Sequence, residues 1–176
     1  MDRRDRVILV DRSDRKIGVA DKMAAHSNGG RLHRSISIFV FNRKGEMLLQ
    51  RRAMGKYHAP GKWSNTCCSH QQPGEKSLTA AHRRLVEEMG FDCRLREAFH
   101  FPYKTYVDKG LTEQEYDHMI FGRYDGKPRI NRREVMDWKW MPLMDLRRQV
   151  KRKPGSFTPW FRLMVDKVIS RYSKGF

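Results

Sequence analysis

Two periodicities divide the chain into short stretches. Residues 35–42 read Ser-Ile-Ser-Ile-Phe-Val-Phe-Asn, starting in strict alternation and rich in β-branched and aromatic side chains, which predicts a strand. Arg43-Lys44-Gly45 turns the chain, and Met47 to Arg52 reads as the returning strand of a hairpin. Nearer the start, Val7 to Val10 predicts a short strand, Asp11 to Asp14 a turn, and Ile17 to Ala20 a strand pairing back. Further strands are expected at Ala98 to Val107, Glu115 to Tyr124 and Val135 to Met141. Helical periodicity is clearest over Glu75 to Met89, with Leu78, Ala81, Leu85 and Met89 on one face and Gly90 as the stop signal. Thr158 reads as an N-cap with Pro159 at the first helical position. The helix they open is expected to reach about Ser173, with Trp160, Met164, Val168 and Tyr172 near one face. Mixed strand and helix in this order predicts an α/β (α+β) class.

Composition sets the scale of this picture. A chain of 176 residues with 39% hydrophobic content buries a real core, so one domain spanning 1–176 is expected. The longest apolar run of the N-terminal stretch, Val7 to Val10, is too short for a signal h-region or a membrane span. A cytoplasmic protein with no membrane partner is therefore expected, and a monomer. Cys67, Cys68 and Cys93 are odd in number and two are adjacent, which argues for reduced thiols over a disulfide framework.

Charge changes the picture more. Lys and Arg total 37 against 20 Asp and Glu, a net charge of +17. Such a field attracts polyanions and steers anionic ligands. A basic solvated surface, a nucleic-acid-binding domain and an anionic small-molecule substrate all fit it. The densest run, Arg147 to Lys153, ends at Pro154-Gly155 and reads as a helix end and loop. No recognised RNA-binding motif accompanies it, so no specific nucleic acid partner is expected.

Candidate chemistry centres on the main helix. The stretch SHQQPGEKSLTAAHRRLVEEMGF resembles the Nudix box, with Glu75, Arg83, Glu87, Glu88 and Gly90 at matching spacing. Ser69 stands where that pattern has glycine, and Arg84 where it has glutamate. Helical carboxylates on adjacent turns can hold Mg²⁺ against a diphosphate. Replacing one acid with Arg84 weakens a hydrolase that needs several Mg²⁺ ligands, and adds a charge that can meet phosphate directly.

Upstream, PGKWSNTCCSHQQPGE resembles the W-[ST]-N-x-x-C-x-H segment of type I isopentenyl-diphosphate isomerases, with Trp63, Asn65, Cys68 and His70 in place. Other landmarks of that family follow in order: KMAAH at 22–26, RLH at 31–33, QRRA at 50–53 with Lys56, EQEYD at 113–117, the stretch from Asn131 to Trp140, and FTPW at 157–160. The resemblance spans about residues 7–172. It implies a single Nudix-type mixed β-sheet sandwich flanked by helices.

The residues have their own logic. His26 and His33 can reach one centre from a loop and the strand after it, and His70 supplies a third nitrogen. Glu113 and Glu115 are two apart, so on a strand they share a face. Together they make an N₃O₂ set resembling the family's metal site. Imidazole plus carboxylate suits Mn²⁺, Fe²⁺, Zn²⁺ or Mg²⁺ without choosing among them. His58, His82, His100 and His118 match no ligand position of the family and are read as surface or packing residues. Spacing alone does not choose between Cys67 and Cys68; the resemblance selects Cys68, two residues before His70.

The resemblance implies interconversion of isopentenyl and dimethylallyl diphosphate by a 1,3-proton shift, a step of isoprenoid biosynthesis. It implies Glu115 as proton donor with Tyr103 beside it and Cys68 as base, helped by a thiol pKa lowered near a cation. Trp160 would face the carbocation, and Trp63 would help wall the pocket. Lys22, Arg52, Lys56 and Arg84 would hold the diphosphate, with Glu88 bridging through Mg²⁺. Two alternatives remain at this level: a Nudix hydrolase of nucleoside diphosphate derivatives, which has no need of Cys68 or the three histidines, and a basic nucleic-acid-binding domain. Gln71, where many members have proline, is a further departure.

Overall fold

Strand β3 (His33–Phe41) organises the molecule. Its residues from Ser35 onward are buried on both faces, as a strand inside a layered fold must be. The even-numbered Ile36, Ile38 and Val40 pack on one side, the odd-numbered Phe39 and Phe41 on the other. Two cores result, one on each face of a mixed sheet. The computed structural model that shows this describes residues 5–176; residues 1–4 of the expected domain lie outside the described residues.

The other elements are β1 (Arg6–Val10), β2 (Lys16–Asp21), α1 (Lys22–His26), β4 (Glu46–Arg52), β5 (Trp63–Ser64), β6 (Cys67–Ser69), α2 (Ser77–Met89), β7 (Leu95–Tyr106), β8 (Thr112–Arg123), β9 (Val135–Pro142), α3 (Leu143–Arg152) and α4 (Pro159–Ser173). β3 runs parallel to β8, His33 opposite Glu115 through Phe41 opposite Arg123, and antiparallel to the short β6. β7 lies antiparallel to β8 over its whole length. The expected hairpin of β3 and β4 shrinks to one pair, Phe41 with Met47. Beyond it the strands part, β3 to β6 and β8, β4 to β9 and β5.

Helix α2 covers one core through Ala80, Ala81, Leu85 and Met89. Leu78, assigned to that face by periodicity, is 37% exposed, while Glu88 turns inward at 2%. The helix stops at Gly90, whose φ of 71° is left-handed. A β-carbon there would lie 2.1 Å from the Arg129 carbonyl oxygen, so only glycine fits. Helices α3 and α4 close the other core, with Trp160, Phe161, Met164, Val165 and Val168 inward and Tyr172 stacked 3.9 Å from Phe41. Thr158 has the backbone of an N-cap, but its hydroxyl pairs with Ser64 Oγ at 3.0 Å instead. The basic run at 147–153 lies largely within α3, which presents Leu146 and Val150 inward and its charges to solvent. Among the described residues no helix is long and apolar enough to cross a membrane.

Candidate active site

Parallel pairing of β3 and β8 places His33 beside Glu115, and β8 alternation sends Glu113 to the same side. Helix α1, where the sequence predicts a loop, ends in His26 and carries it to the same point. Asp21 caps this helix, its carboxylate accepting from the Ala24 amide at 3.0 Å. The chain after β6 brings His70. One ligand atom from each of His26, His33, His70, Glu113 and Glu115 lies within 4.8 Å of the others.

Tautomers make this set fit a cation. His26 Nδ1 lies 2.7 Å from the Lys22 carbonyl and His33 Nδ1 2.7 Å from that of Arg31. A carbonyl only accepts, so both Nδ1 atoms carry hydrogen, and in the neutral rings both Nε2 atoms point their lone pairs inward. His33 Nε2 meets His70 Nε2 at 3.1 Å, and Glu115 Oε1 lies 3.0 Å from that same His70 nitrogen. Inward lone pairs and carboxylates without protons of their own are a donor set for a divalent metal ion.

Without an ion the His26–Glu113 contact is proton-bridged: burial depresses the His26 imidazolium, but Glu113 more than offsets it and raises the pKa to about 9, so a metal ion entering the site would displace the Nε2 proton. Burial lowers His70 to about 4, against the pull of Glu115. Burial pushes Glu115 up, yet hydrogen bonds and charge from His33 and His70 hold it well below the usual carboxylate range.

Cys67 and Cys68 part as strand alternation requires. Cys67 is fully buried against Leu85 and Leu48. Cys68 sits opposite Ser37 and lines a cleft of about 590 Å³ with His70, Tyr103, Glu115 and Trp160. Its thiol donates to Asn65 Oδ1 at 2.9 Å and lies 3.4 Å from Ser37 Oγ. Burial, with Asp117 beside it, pushes its pKa up to about 12, and the cation expected to lower it is not among its neighbouring side chains. Tyr103 Oη donates to Glu115 Oε2 at 2.6 Å.

A Nudix domain model matches residues 31–161. The chain is 54% identical to isopentenyl-diphosphate Δ-isomerase 2 of Aromatoleum aromaticum, over 94% of this chain and 87% of that one. It is 48% identical to the enzyme of the same name from Photorhabdus laumondii, over 91% and 90%.

This chain belongs to the isopentenyl-diphosphate Δ-isomerase branch of the Nudix family.

Among solved structures, a Deinococcus radiodurans protein covers 92% of this chain and 98% of its own at a TM-score of 0.78 and 20% identity. The MutT protein of Methanosarcina mazei reaches 0.65 at 18% identity, over 82% and 96%. At those identities the likeness is one of Nudix fold.

Within this Nudix frame the cationic residues of the cleft are already engaged. Lys56 pairs with Glu134. Lys22 Nζ lies 5.2 Å over the Tyr57 ring. Arg52 is 4% exposed and donates to the Ala59 and His58 carbonyls at 3.2 and 2.9 Å, with its guanidinium 5.2 Å over Trp160. Arg84 reaches Glu87 and Glu88, each at 2.5 Å. Glu88 also accepts from Gln50 Nε2 at 3.1 Å, apart from the five-residue cluster. As an Mg²⁺ ligand it would have to exchange its Arg84 contact. Trp63 does not line the cleft; its ring lies 4.0 Å under Lys139 Nζ.

His58 corrects the sequence reading. It is 4% exposed and lines the cleft. Arg52 Nη2 lies 2.9 Å from Nδ1 and can only donate, so Nδ1 accepts and Nε2 carries the hydrogen. That hydrogen is donated to Glu113 Oε1. The ring also lies 5.1 Å from Trp160. A lone histidine in a loop gives no sequence signal for this; only the fold sets it against Glu113. His118 is likewise buried, at 6%, bonded to Asp14. His100 is exposed and His82 half-buried, within the expected surface or packing roles.

Proposed function

We propose that this enzyme interconverts isopentenyl diphosphate and dimethylallyl diphosphate by a 1,3-allylic proton shift. The observation that carries the reading is the union, in one cleft, of the Cys68 thiol with the Glu115 carboxylate, which accepts from Tyr103 Oη at 2.6 Å, beside a cluster that can hold a divalent ion. A double-bond shift adds a proton at the terminal alkene carbon and removes one from C2. One proton held between two groups is what such an exchange needs, and reversal exchanges their roles.

Glu115 is the proposed donor to the alkene carbon, resupplied by the Tyr103 hydroxyl that touches it, and Cys68 the group that takes the proton from C2. For that direction the proton must reach Glu115, and the thiol must release its own, before C–H cleavage. The Trp160 ring face meets the developing tertiary cation, an attraction of about 2 kcal/mol once desolvated. Lys22, Arg52, Lys56 and Arg84 hold the diphosphate, which carries Mg²⁺, with Glu88 as the bridging acid. His26, His33, His70, Glu113 and Glu115 would hold a divalent ion, with Mn²⁺ and Zn²⁺ as candidates, which would supply a positive charge beside Glu115 and tune its acidity.

Labelled isopentenyl diphosphate with Mg²⁺, scored for acid-labile allylic product, tests the reading. Wild type is expected to convert it, and Cys68→Ala and Glu115→Gln to lose nearly all turnover. Full turnover in Cys68→Ala together with loss in Cys67→Ala overturns the assignment; phosphate release without isomerisation overturns the activity.

A further inference from the structure

On the other face of β8, away from the cleft, three potential ligands converge that the reaction does not use. We propose that Glu97, His100 and His118 form a second metal site, for Zn²⁺ or a similar borderline transition ion. One ligand atom from each lies within 4.8 Å of the other two, and none of the three lines the catalytic cleft.

The convergence depends on a backbone irregularity. Residues three apart on a regular strand face opposite ways, so Glu97 and His100 of β7 should be separated. The register of β7 against β8 shifts between Glu97 and Phe99, with Glu97 opposite Ile120 and Phe99 opposite Met119. One extra residue, Ala98, is absorbed there, and bulges of this kind re-aim side chains. Glu97 and His100 thereby share the face of His118, and His100 stands directly opposite it with ring centroids 4.4 Å apart.

His118 is prepared as a ligand. Its Nε2 lies 3.0 Å from Asp14 Oδ2, and Asp14 is held by Arg34 Nε at 2.7 Å. Asp14 sits in the turn between β1 and β2 at a left-handed φ of 61°, which aspartate tolerates. A carboxylate accepting from one ring nitrogen fixes the tautomer and leaves the other free to bind metal. That other nitrogen, Nδ1, lies 3.3 Å from Glu97 Oε1 and 3.1 Å from Ser77 Oγ. Ser77 can donate to it; a carboxylate has no proton to give. Two imidazoles and a carboxylate therefore converge on one point, where a bound cation would take the place of the Ser77 hydroxyl at Nδ1. Two nitrogens and one oxygen leave a fourth, water-bound position in a tetrahedral Zn²⁺ site. Zn–N bonds of about 2 Å hold ligand atoms roughly 3.3 Å apart. The half-exposed Glu97 and His100 side chains must therefore close on the fixed His118, and they have the freedom to do so.

The rival arrangement is metal-free: a His118 imidazolium donating to both Asp14 and Glu97. Zn²⁺ titration of chelator-treated protein, in competition with a chromophoric chelator, separates the two. The Glu97→Gln/His100→Ala variant is expected to bind one equivalent fewer than wild type while keeping its isomerase turnover. His33→Gln, which disables the central cluster, is expected to retain the equivalent that the surface variant loses. Equal stoichiometry in wild type and the surface variant overturns the proposal, as does loss of the surface equivalent in His33→Gln. Both substituted surface residues are about two-fifths exposed, so misfolding does not cloud the count; circular dichroism of the variant verifies this.

Discussion

Arg84→Ala separates two roles given to one side chain, contact with a diphosphate and neutralisation of Glu88. Glu88 is 2% exposed, and its charged partner is Arg84 Nη2 at 2.5 Å; Gln50 adds one neutral donor at 3.1 Å. Removing one member of a buried pair strands the other, at about 3–5 kcal/mol. The Arg84–Glu87 contact, with Glu87 42% exposed, adds only about 0–1 kcal/mol because water screens it. Arg84 itself is 18% exposed, which places the total near the lower end, about 3 kcal/mol. Glu88→Gln leaves Arg84 with Glu87 and with Glu134 at 3.7 Å, so it should cost less, about 1–2 kcal/mol. The double variant Arg84→Ala/Glu88→Gln no longer has a stranded charge. It should therefore cost less than the sum of the two, with a coupling of about 1–3 kcal/mol. Urea unfolding of chelator-treated protein, followed by circular dichroism, measures all four corners. A coupling below about 0.5 kcal/mol would refute the reasoning, because Glu88 would then not depend on Arg84. KM for isopentenyl diphosphate should rise in Arg84→Ala, which loses a direct phosphate contact, and in Glu88→Gln only at limiting Mg²⁺, which Glu88 is proposed to hold.

Three further outcomes are expected. His58→Ala removes the donor to Glu113 Oε1 and should weaken Mn²⁺ binding about 10–100-fold by paramagnetic resonance titration; unchanged affinity would show that Glu113 is held by the rest of the cluster. Asp117 is held well above the usual carboxylate range by burial and then by Glu115, so the folded state keeps a proton that the unfolded chain releases above about pH 4. That contribution is complete below the unfolded value and fades as pH rises towards the folded one, with a slope of at most about 1.4 kcal/mol per pH unit. Asp117→Asn should therefore flatten the fall of Tm between pH 5 and 8 in chelator-treated protein, and parallel wild-type and variant curves would refute this. Leu85→Ala, fully buried on α2, should cost about 2–5 kcal/mol in urea with KM unchanged, and a smaller loss would mean that the core under α2 collapses around the gap.

The strands and the two long helices were legible because their patterns are local. Residues 35–42 could only be a buried strand, and Gly90 only a helix end. Pairing was not local, and there the reading strayed. A short polar turn between two strand-like runs suggests a hairpin, yet β3 spends its length on β8 and β6. Nothing between Asn42 and Glu46 records that preference; it comes from burial of both faces of β3 by the helices on either side. The five-residue helix α1 is too short for a periodicity to show, and its start rests on the single cap at Asp21. Leu78 and Glu88 changed places on α2 because an ion pair with Arg84 can carry a carboxylate into a face that an apolar count gives to leucine.

The site divides along the same line. Alternation placed Glu113 and Glu115 on one face, and the resemblance, not spacing, chose Cys68, which lines their cleft while Cys67 turns to the core. Residues whose position depends on a bend were placed by neither. His58 reaches Glu113 from a loop in which Ala59 has a φ of 45°, and Arg52 fixes both its carbonyl and its tautomer. Glu97 meets His118 only through the register shift beside it. In each case the side chain was visible in the sequence, and the backbone irregularity that aims it was not. The candidate metal-ligand cluster is therefore reinforced by residues that motif spacing passes over: Arg52 orders His58, His58 holds Glu113, and Glu113 meets His26 at 2.9 Å. Substitution along that series should therefore reach the ligand cluster through Glu113 and His26, while Arg52 and His58 also touch the core through Trp160.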